Sequence, residues 1–83
     1  MQKIRPDLGI GHNIRGLRVR SGMTQEQVVA KLQLAGLPIS RSSYAKIETN
    51  LLNIRVSELV CLKNIFNCRF DDFFEGLEIE EEQ

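Results

Sequence analysis

The chain has little of the material from which metal and redox sites are built. It contains one histidine and two cysteines, and it has no tryptophan. Cys61 and Cys68 stand seven positions apart and lack the C-x-x-C spacing of redox and zinc sites. We therefore interpret both cysteines as small apolar residues of the core. With a single histidine and no cysteine pair at ligand spacing, we predict no metal site and no cofactor.

Groups that could perform covalent or acid–base catalysis are also scarce. His12 has no carboxylate pair and no nucleophile placed near it in the sequence. The serines that flank Arg41 have no base partner at a useful spacing. We interpret His12 as an exposed residue at a helix start, and we expect that the protein is not an enzyme.

Long apolar runs are absent as well. No stretch approaches the roughly 20 apolar residues that cross a membrane, and nothing resembles a signal peptide. We therefore expect a cytoplasmic protein without membrane contact. Its 83 residues, 42% hydrophobic and 27% charged, fit one small globular domain. A core of that size gives marginal stability unless two copies pair.

Positive charge is missing from the C-terminal end. The 11 basic and 11 acidic residues give a net charge of zero. Residues 1–69 contain all 11 basic residues and 4 acids, whereas residues 70–83 contain 7 acids and no base. A basic body suits a protein that meets phosphates with one face. The acidic end is either a solvated tail or a contact surface for a protein partner.

The spacing of apolar residues predicts five helices and no strand, and hence an all-α fold. The predicted helices cover residues 12–21, 24–34, 41–49 and 56–66, with a fifth that begins near residue 70. Thr24 and Gln27 form a T-x-x-Q capping box, and Ser40 is the N-cap of the third helix. We divide the chain into a flexible N-terminal arm (residues 1–10), a helical domain (11–77) and an acidic tail (78–83).

Four of the five aromatic residues are phenylalanines near the C-terminal end. Phe70, Phe73, Phe74 and Leu77 lie at spacing i, i+3, i+4 and i+7, so they share one face of the predicted fifth helix. Part of the Phe73/Phe74 ridge on this face is predicted to form a homodimer seam. The alternative is that all four phenylalanines, including Phe66, pack in the core of one chain.

The third predicted helix divides into an apolar and a polar side. Tyr44 and Ile47, three positions apart, are expected to point inward. The outer side and the N-terminal end then carry Arg41, Ser42, Ser43 and Lys46. A short helix with cations and hydroxyls on its free side is suited to lie in the major groove of DNA. We therefore predict a DNA-binding protein.

On these residues the chain resembles the Cro/lambda-repressor helix-turn-helix family, also called the xenobiotic-response-element (XRE) family. The matching residues are Ile14-Arg15-x-Leu17-Arg18-x-x-x-Gly22-x-Thr24-Gln25, then Ser42-x-Tyr44-x-x-Ile47-Glu48, then residues 59–73. The resemblance covers nearly all of residues 11–77. It implies a compact five-helix, lambda-repressor-like domain that binds double-stranded operator DNA as a homodimer and regulates transcription, with repression expected. The alternative is an antitoxin or a protein-interaction adaptor of the same fold.

The resemblance also implies roles for individual residues. Gln25 matches the family glutamine that touches a phosphate and braces the recognition helix, while Arg41 and Ser42 match positions that meet base edges. Backbone contacts would come from the loop after the third helix. The implied DNA-binding residues are Gln25, Ser40, Arg41, Ser42, Ser43, Lys46, Thr49, Asn50 and Asn53.

Arg18 and Glu48 match a partly buried ion pair that ties the first helix to the end of the third. Its implied role is to orient the recognition helix; the alternative is two surface charges that never meet. The chain departs from the family pattern between the second and third helices. Relatives use about three or four residues there, whereas residues 35–40 make six, a change that can rotate the third helix. Arg55 and Arg69 stand where a small capping residue is common.

Overall fold

Five helices form the body of the chain in the computed structural model, which describes residues 2–3, 10–77 and 80–81. The helices are α1 (Ile10–Arg20), α2 (Gln25–Leu34), α3 (Arg41–Glu48), α4 (Val56–Ile65) and α5 (Phe70–Phe73). The prediction of an all-α, five-helix fold is confirmed. Over the described residues, none of the helices has the length and apolar character needed to span a bilayer.

A short β-ladder near the two ends of the chain was not predicted. β1 (Gln2–Lys3) pairs antiparallel with β2 (Glu80–Glu81), with Gln2 opposite Glu81 and Lys3 opposite Glu80. Most of the predicted arm (residues 1–10) and of the predicted acidic tail (78–83) lies outside the described residues. The boundaries of both segments therefore stay predictions.

The core lies where the first four helices meet. α3 packs against both α1 and α2, α2 packs against α4, and α5 packs against α1. The buried apolar side chains are Ile14, Leu17, Val28, Val29, Leu32, Ile39, Tyr44, Ile47, Leu62, Phe66 and Phe73. Because α3 is held on its inner side by two helices, its outer side is the part left for another molecule.

Two predicted N-caps set the starts of α2 and α3. Thr24 Oγ1 accepts from the Gln27 backbone N–H at 3.1 Å, and the Thr24 N–H donates to Gln27 Oε1 at 2.9 Å, so the capping box is complete. Ser40 Oγ accepts from the Ser43 N–H at 3.1 Å. These bonds satisfy N–H groups that no helical carbonyl can reach, which explains why the predicted and observed starts agree.

At the starts of α4 and α5, only one of the two hydrogen bonds of a capping box is present. The Arg55 backbone N–H donates to Glu58 Oε1 at 2.7 Å, and the Arg69 N–H donates to Asp72 Oδ2 at 2.9 Å. A guanidinium has no acceptor, so neither arginine can return the bond to the first turn of its helix. The acidic residue at the third helical position therefore supplies each cap.

The six-residue connection between α2 and α3 is folded onto the core. The Leu37 N–H returns to the Leu32 carbonyl at 3.1 Å, and Gly36 has a φ of 91°, which is the usual geometry of a left-handed helix cap. Ile39 is buried, and its carbonyl accepts from Gln33 Nε2 at 2.8 Å. The long turn thus delivers Ser40 to a defined position at the start of α3.

α5 is shorter than predicted, and it buries one phenylalanine. It ends at Phe73, and the chain then turns through Gly76 at a φ of 78°. Phe73 is fully buried, whereas Phe70 and Phe74 are 43% and 49% exposed. The alternative that all four phenylalanines pack in the core is therefore wrong, because Phe70 and Phe74 keep about half of their surface exposed. Phe73 is also unavailable to the predicted Phe73–Phe74 seam within this fold.

Candidate nucleic-acid interface

The two sides of α3 differ as the sequence predicted. Tyr44 and Ile47 are buried against α1 and α2, and Glu48 is buried beside them. Arg41, Ser42 and Lys46 are exposed to solvent, and Ser43 is half-buried. The exposed set consists of two cations and a hydroxyl, groups that hydrogen-bond to phosphates and to base edges.

Two serines of the predicted DNA-binding residues, Ser40 and Ser43, stabilise the start of the helix itself. Ser40 Oγ accepts from the Ser43 N–H and lies 3.0 Å from Ser43 Oγ. Their hydroxyls are thus engaged with each other at the first turn of α3. Ser42, between them in sequence, is exposed to solvent. The serines of one short run therefore occupy different environments.

Arg41 meets an acidic residue of the neighbouring helix. Its Nη1 lies 3.0 Å from Glu26 Oε1 on α2. The two side chains keep 61% and 70% of their surface exposed, so solvent, or a ligand, can still reach the guanidinium. No sequence pattern indicated this contact, because it depends on where α2 and α3 cross.

Arg18, Gln25 and Glu48 form a network behind α3. Arg18 Nε donates to Glu48 Oε2 at 2.7 Å, and Arg18 Nη2 donates to Glu48 Oε1 at 3.1 Å. Gln25 Nε2 donates to Glu48 Oε1 at 3.0 Å. The structure thus brings together one residue each from α1, α2 and α3, at the base of the helix that carries the predicted DNA contacts.

The protonation of the network follows from burial and hydrogen bonding. Burial opposes ionisation of Glu48, but the hydrogen bonds from Arg18 and Gln25 outweigh it, so the pKa of Glu48 is lowered. The bond to Glu48 raises the pKa of Arg18. Burial raises the pKa of Tyr44, whose fully buried hydroxyl lies beside the pair without a hydrogen bond of standard geometry. Both members of the ion pair are therefore charged at neutral pH.

The loop after α3 is tied to the start of α1. Asn50 has a φ of 63°, and its Oδ1 accepts from the Gly11 backbone N–H at 3.1 Å. Thr49 Oγ1 bonds back to the carbonyls of Ala45 and Lys46, both at 3.2 Å, while Asn53 is exposed. Two of the three predicted loop contacts therefore already have partners within the chain.

The close approach of α1 to α3 is a feature that the sequence analysis missed. A Cβ placed on Gly11 would overlap the Ile47 carbonyl oxygen and would lie 2.8 Å from that of Glu48. The first helix was predicted to begin at residue 12, yet α1 begins at Ile10 and includes Gly11. An isolated glycine inside an apolar helical pattern was the signal that could have indicated a close backbone contact.

Metal ligands are not assembled in the part of the chain that the structure describes. No group of three or more His, Cys, Asp or Glu side chains there could hold an ion. Cys61 and Cys68 are free thiols and half-buried, and burial raises the pKa of Cys68. The chemistry of the site is thus that of cations, hydroxyls and amides.

No protein-family model and no curated protein matches the chain. Among solved structures it is similar to the restriction-modification controller protein C.AhdI from Aeromonas hydrophila. The TM-score is 0.64 at 25% sequence identity, and the match covers 78% of this chain and 91% of that one.

This similarity extends over most of both chains, so it concerns the whole helical body rather than a single motif. It agrees with the sequence motifs that run from α1 to α5 and with the order of the five helices. The chain therefore has the all-helical, Cro/lambda-repressor-like helix-turn-helix fold, and the similarity supports its resemblance to the XRE family of regulators.

Proposed function

We propose that the protein binds a specific site in double-stranded DNA through α3 and regulates transcription there. The observation that supports this function best is the division of α3, whose buried side anchors it to α1 and α2 while Arg41, Ser42 and Lys46 face solvent. A helix presented in this way can enter a major groove without rearrangement of the fold. The similarity to a restriction-modification controller supports the same class of function.

The nine residues implied by the family resemblance have different roles under this proposal. Arg41, Ser42 and Lys46 are exposed on α3 and would contact the groove directly. Ser40, Ser43, Thr49 and Asn50 make hydrogen bonds within the chain, so their backbone groups or remaining donors would be the ones to meet phosphates. Gln25 would brace the helix through Glu48, and Asn53 is exposed for a backbone contact.

A homodimer is part of the proposal. Phe70 and Phe74 are large aromatic side chains that remain about half-exposed, and Val60 on α4 is 43% exposed. Lys63 Nζ lies 5.5 Å from the centre of the Phe70 ring, which links α4 to this surface. Burying these groups between two copies would add apolar contacts that a small core lacks. It would also present two copies of α3 to a two-fold symmetric operator.

Repression is the mode of regulation that we propose. A small dimer that occupies an operator within a promoter excludes other proteins from the same DNA by steric overlap. The test is transcription from a reporter whose promoter contains the selected operator. A fall in transcript on adding the protein supports repression, whereas a rise shows activation.

Selection of bound duplexes from a random DNA pool tests the central proposal. The expected result is one enriched, palindromic sequence, with an affinity that falls steeply as salt rises, by a slope of about −0.9 per phosphate contact on a log–log plot. Arg41→Ala is expected to cost about 1–3 kcal/mol at the preferred site and to relax its sequence preference. Arg69→Ala is the matched control, since Arg69 is also an exposed arginine in an exposed ion pair.

Two results would contradict this assignment. An Arg41→Ala variant that discriminates operators as well as the wild type does would show that α3 is placed wrongly. Absence of duplex binding even at low salt would favour the alternative of an antitoxin or adaptor, with the acidic C-terminal end as the contact for a protein partner.

A further inference from the structure

We propose that Glu26 is a specificity-determining residue, which orients the Arg41 guanidinium toward a guanine and disfavours its use on phosphates. The inference rests on the proposed function and adds a role for a residue outside the set implied by the family resemblance. It starts from one contact: Arg41 Nη1 lies 3.0 Å from Glu26 Oε1, across the crossing of α2 and α3.

Glu26 and Arg41 both lie at the N-terminal end of a helix, where the helix dipole affects a charge. Glu26 lies in the first turn of α2, where a carboxylate is favoured by the positive end of the helix dipole. Arg41 is the first residue of α3, where the same dipole disfavours a cation. A carboxylate beside Arg41 offsets that disfavoured placement. The cation is thus kept at the groove-facing end of α3 by a residue from the neighbouring helix.

The contact leaves Arg41 able to read a base. A guanidinium has five N–H donors, and a bidentate contact with guanine O6 and N7 requires two. Glu26 engages the Nη1 end, so the N–H groups on the other nitrogens remain for a base. The Arg41 side chain stays 61% exposed with the pair formed. A guanine can therefore be bound without breaking the contact to Glu26.

The same carboxylate acts against non-specific binding. A phosphate that approached Arg41 would also approach Glu26, and two negative groups at that distance repel each other. The edge of a guanine carries no net charge and does not incur this repulsion. Exposed pairs of this kind are worth little individually, so we expect an effect of about two- to fivefold on the ratio of specific to non-specific affinity.

Competition binding with Glu26→Gln tests the inference. The affinity of the purified protein is measured for its selected duplex, for duplexes changed one base pair at a time, and for random duplex. We expect Glu26→Gln to bind random duplex more tightly and to lose about two- to fivefold in discrimination at one guanine position. In an Arg41→Ala background the same substitution should leave base preference unchanged, because its effect passes through Arg41.

Asp71→Asn is the matched control, since it removes one negative charge from the exposed Arg69–Asp71 pair on α5. If Glu26→Gln and Asp71→Asn raise the affinity for every duplex by the same factor, Glu26 acts only through net charge and the inference is overturned. Unchanged discrimination in Glu26→Gln, with wild-type DNA binding intact, overturns the inference and leaves the proposed function standing. Absence of duplex binding by the wild type would overturn both.

Discussion

Arg18 on α1 and Glu48 at the end of α3 form a two-point ion pair. Nε and Nη2 of the guanidinium each bond a different carboxylate oxygen, at 2.7 and 3.1 Å. The side chains are 13% and 2% exposed, so both charged groups are largely desolvated. Arg18 Nη1 also donates to the Met23 carbonyl at 3.0 Å. The pair therefore joins α1, the turn after it and the end of α3 into one unit.

Removing Arg18 should destabilise the fold, because it leaves the Glu48 carboxylate buried without its partner. We expect Arg18→Met to lower the free energy of unfolding by about 3 kcal/mol, measured by urea denaturation at pH 7. Arg20→Met, at an exposed position of the same helix, should change stability by less than about 0.5 kcal/mol. Equal losses in the two variants would show that the pair contributes nothing particular.

Low pH should remove the contribution of the Glu48 carboxylate to the stability of the fold. Its pKa is lowered in the folded state from an ordinary value of 4.5, so the unfolded chain takes up its proton first as the pH falls. The stabilisation is complete above the unfolded pKa and is lost as the pH falls through the folded pKa. Urea denaturation of the wild type and Glu48→Gln between pH 7 and pH 3 should show a stability difference that shrinks below about pH 4.5.

Other carboxylates titrate in both proteins, so this difference isolates Glu48. A difference that stays constant down to pH 3 would show that the carboxylate is not held ionised by its partners.

Gly11→Ala and Gly16→Ala should have opposite effects, although both glycines lie in α1. A Cβ on Gly11 would meet backbone oxygens of Ile47 and Glu48, whereas a Cβ on Gly16 would meet nothing within 4 Å. We expect Gly16→Ala to stabilise the protein by about 0.5–1 kcal/mol through helix propensity. Gly11→Ala should destabilise it by about 1–3 kcal/mol through overpacking. Thermal denaturation followed by circular dichroism distinguishes the two.

Substitutions of Phe73 and Phe74, which are adjacent in sequence, should have different effects. Phe73 is fully buried, so Phe73→Ala should cost about 3–5 kcal/mol of unfolding free energy at any protein concentration. Phe74 is 49% exposed, so Phe74→Ser should leave the monomer folded and weaken self-association. Sedimentation equilibrium measures the association constant. A Phe74→Ser variant that associates like the wild type would place the dimer surface elsewhere.

Lys46 should contribute to the affinity for DNA but not to the preference for particular bases. It is exposed on α3, and a lysine acts on a phosphate as a point charge. We expect Lys46→Gln to make the salt dependence shallower by about 0.9 in log–log slope, with base preference unchanged. Lys31→Gln, also exposed but on α2, should leave the slope nearly as it is. A changed base preference in Lys46→Gln would instead place this lysine on a base edge.

Local chemistry accounts for the elements that were predicted correctly. α2 begins after Thr24 and α3 after Ser40 because each cap bonds groups within the next three residues. Such bonds depend on sequence neighbours alone and need no tertiary partner. The predicted start of α1 was two residues late, since the helix begins at Ile10 and includes Gly11. Its placement depends on the backbone of α3, which is remote in sequence.

The amino-acid sequence by itself determined the helical class, the caps, the six-residue turn and the amphipathic division of α3, because these follow from periodicity and short-range hydrogen bonds. The tertiary structure decided which residues from different helices meet: Arg41 with Glu26, Gln25 with Glu48, and Gly11 with Asn50. It also decided that Phe73 is buried and Phe74 half-exposed. These relationships depend on how the packed helices cross. The spacing of residues within one helix does not determine where another helix will lie against it.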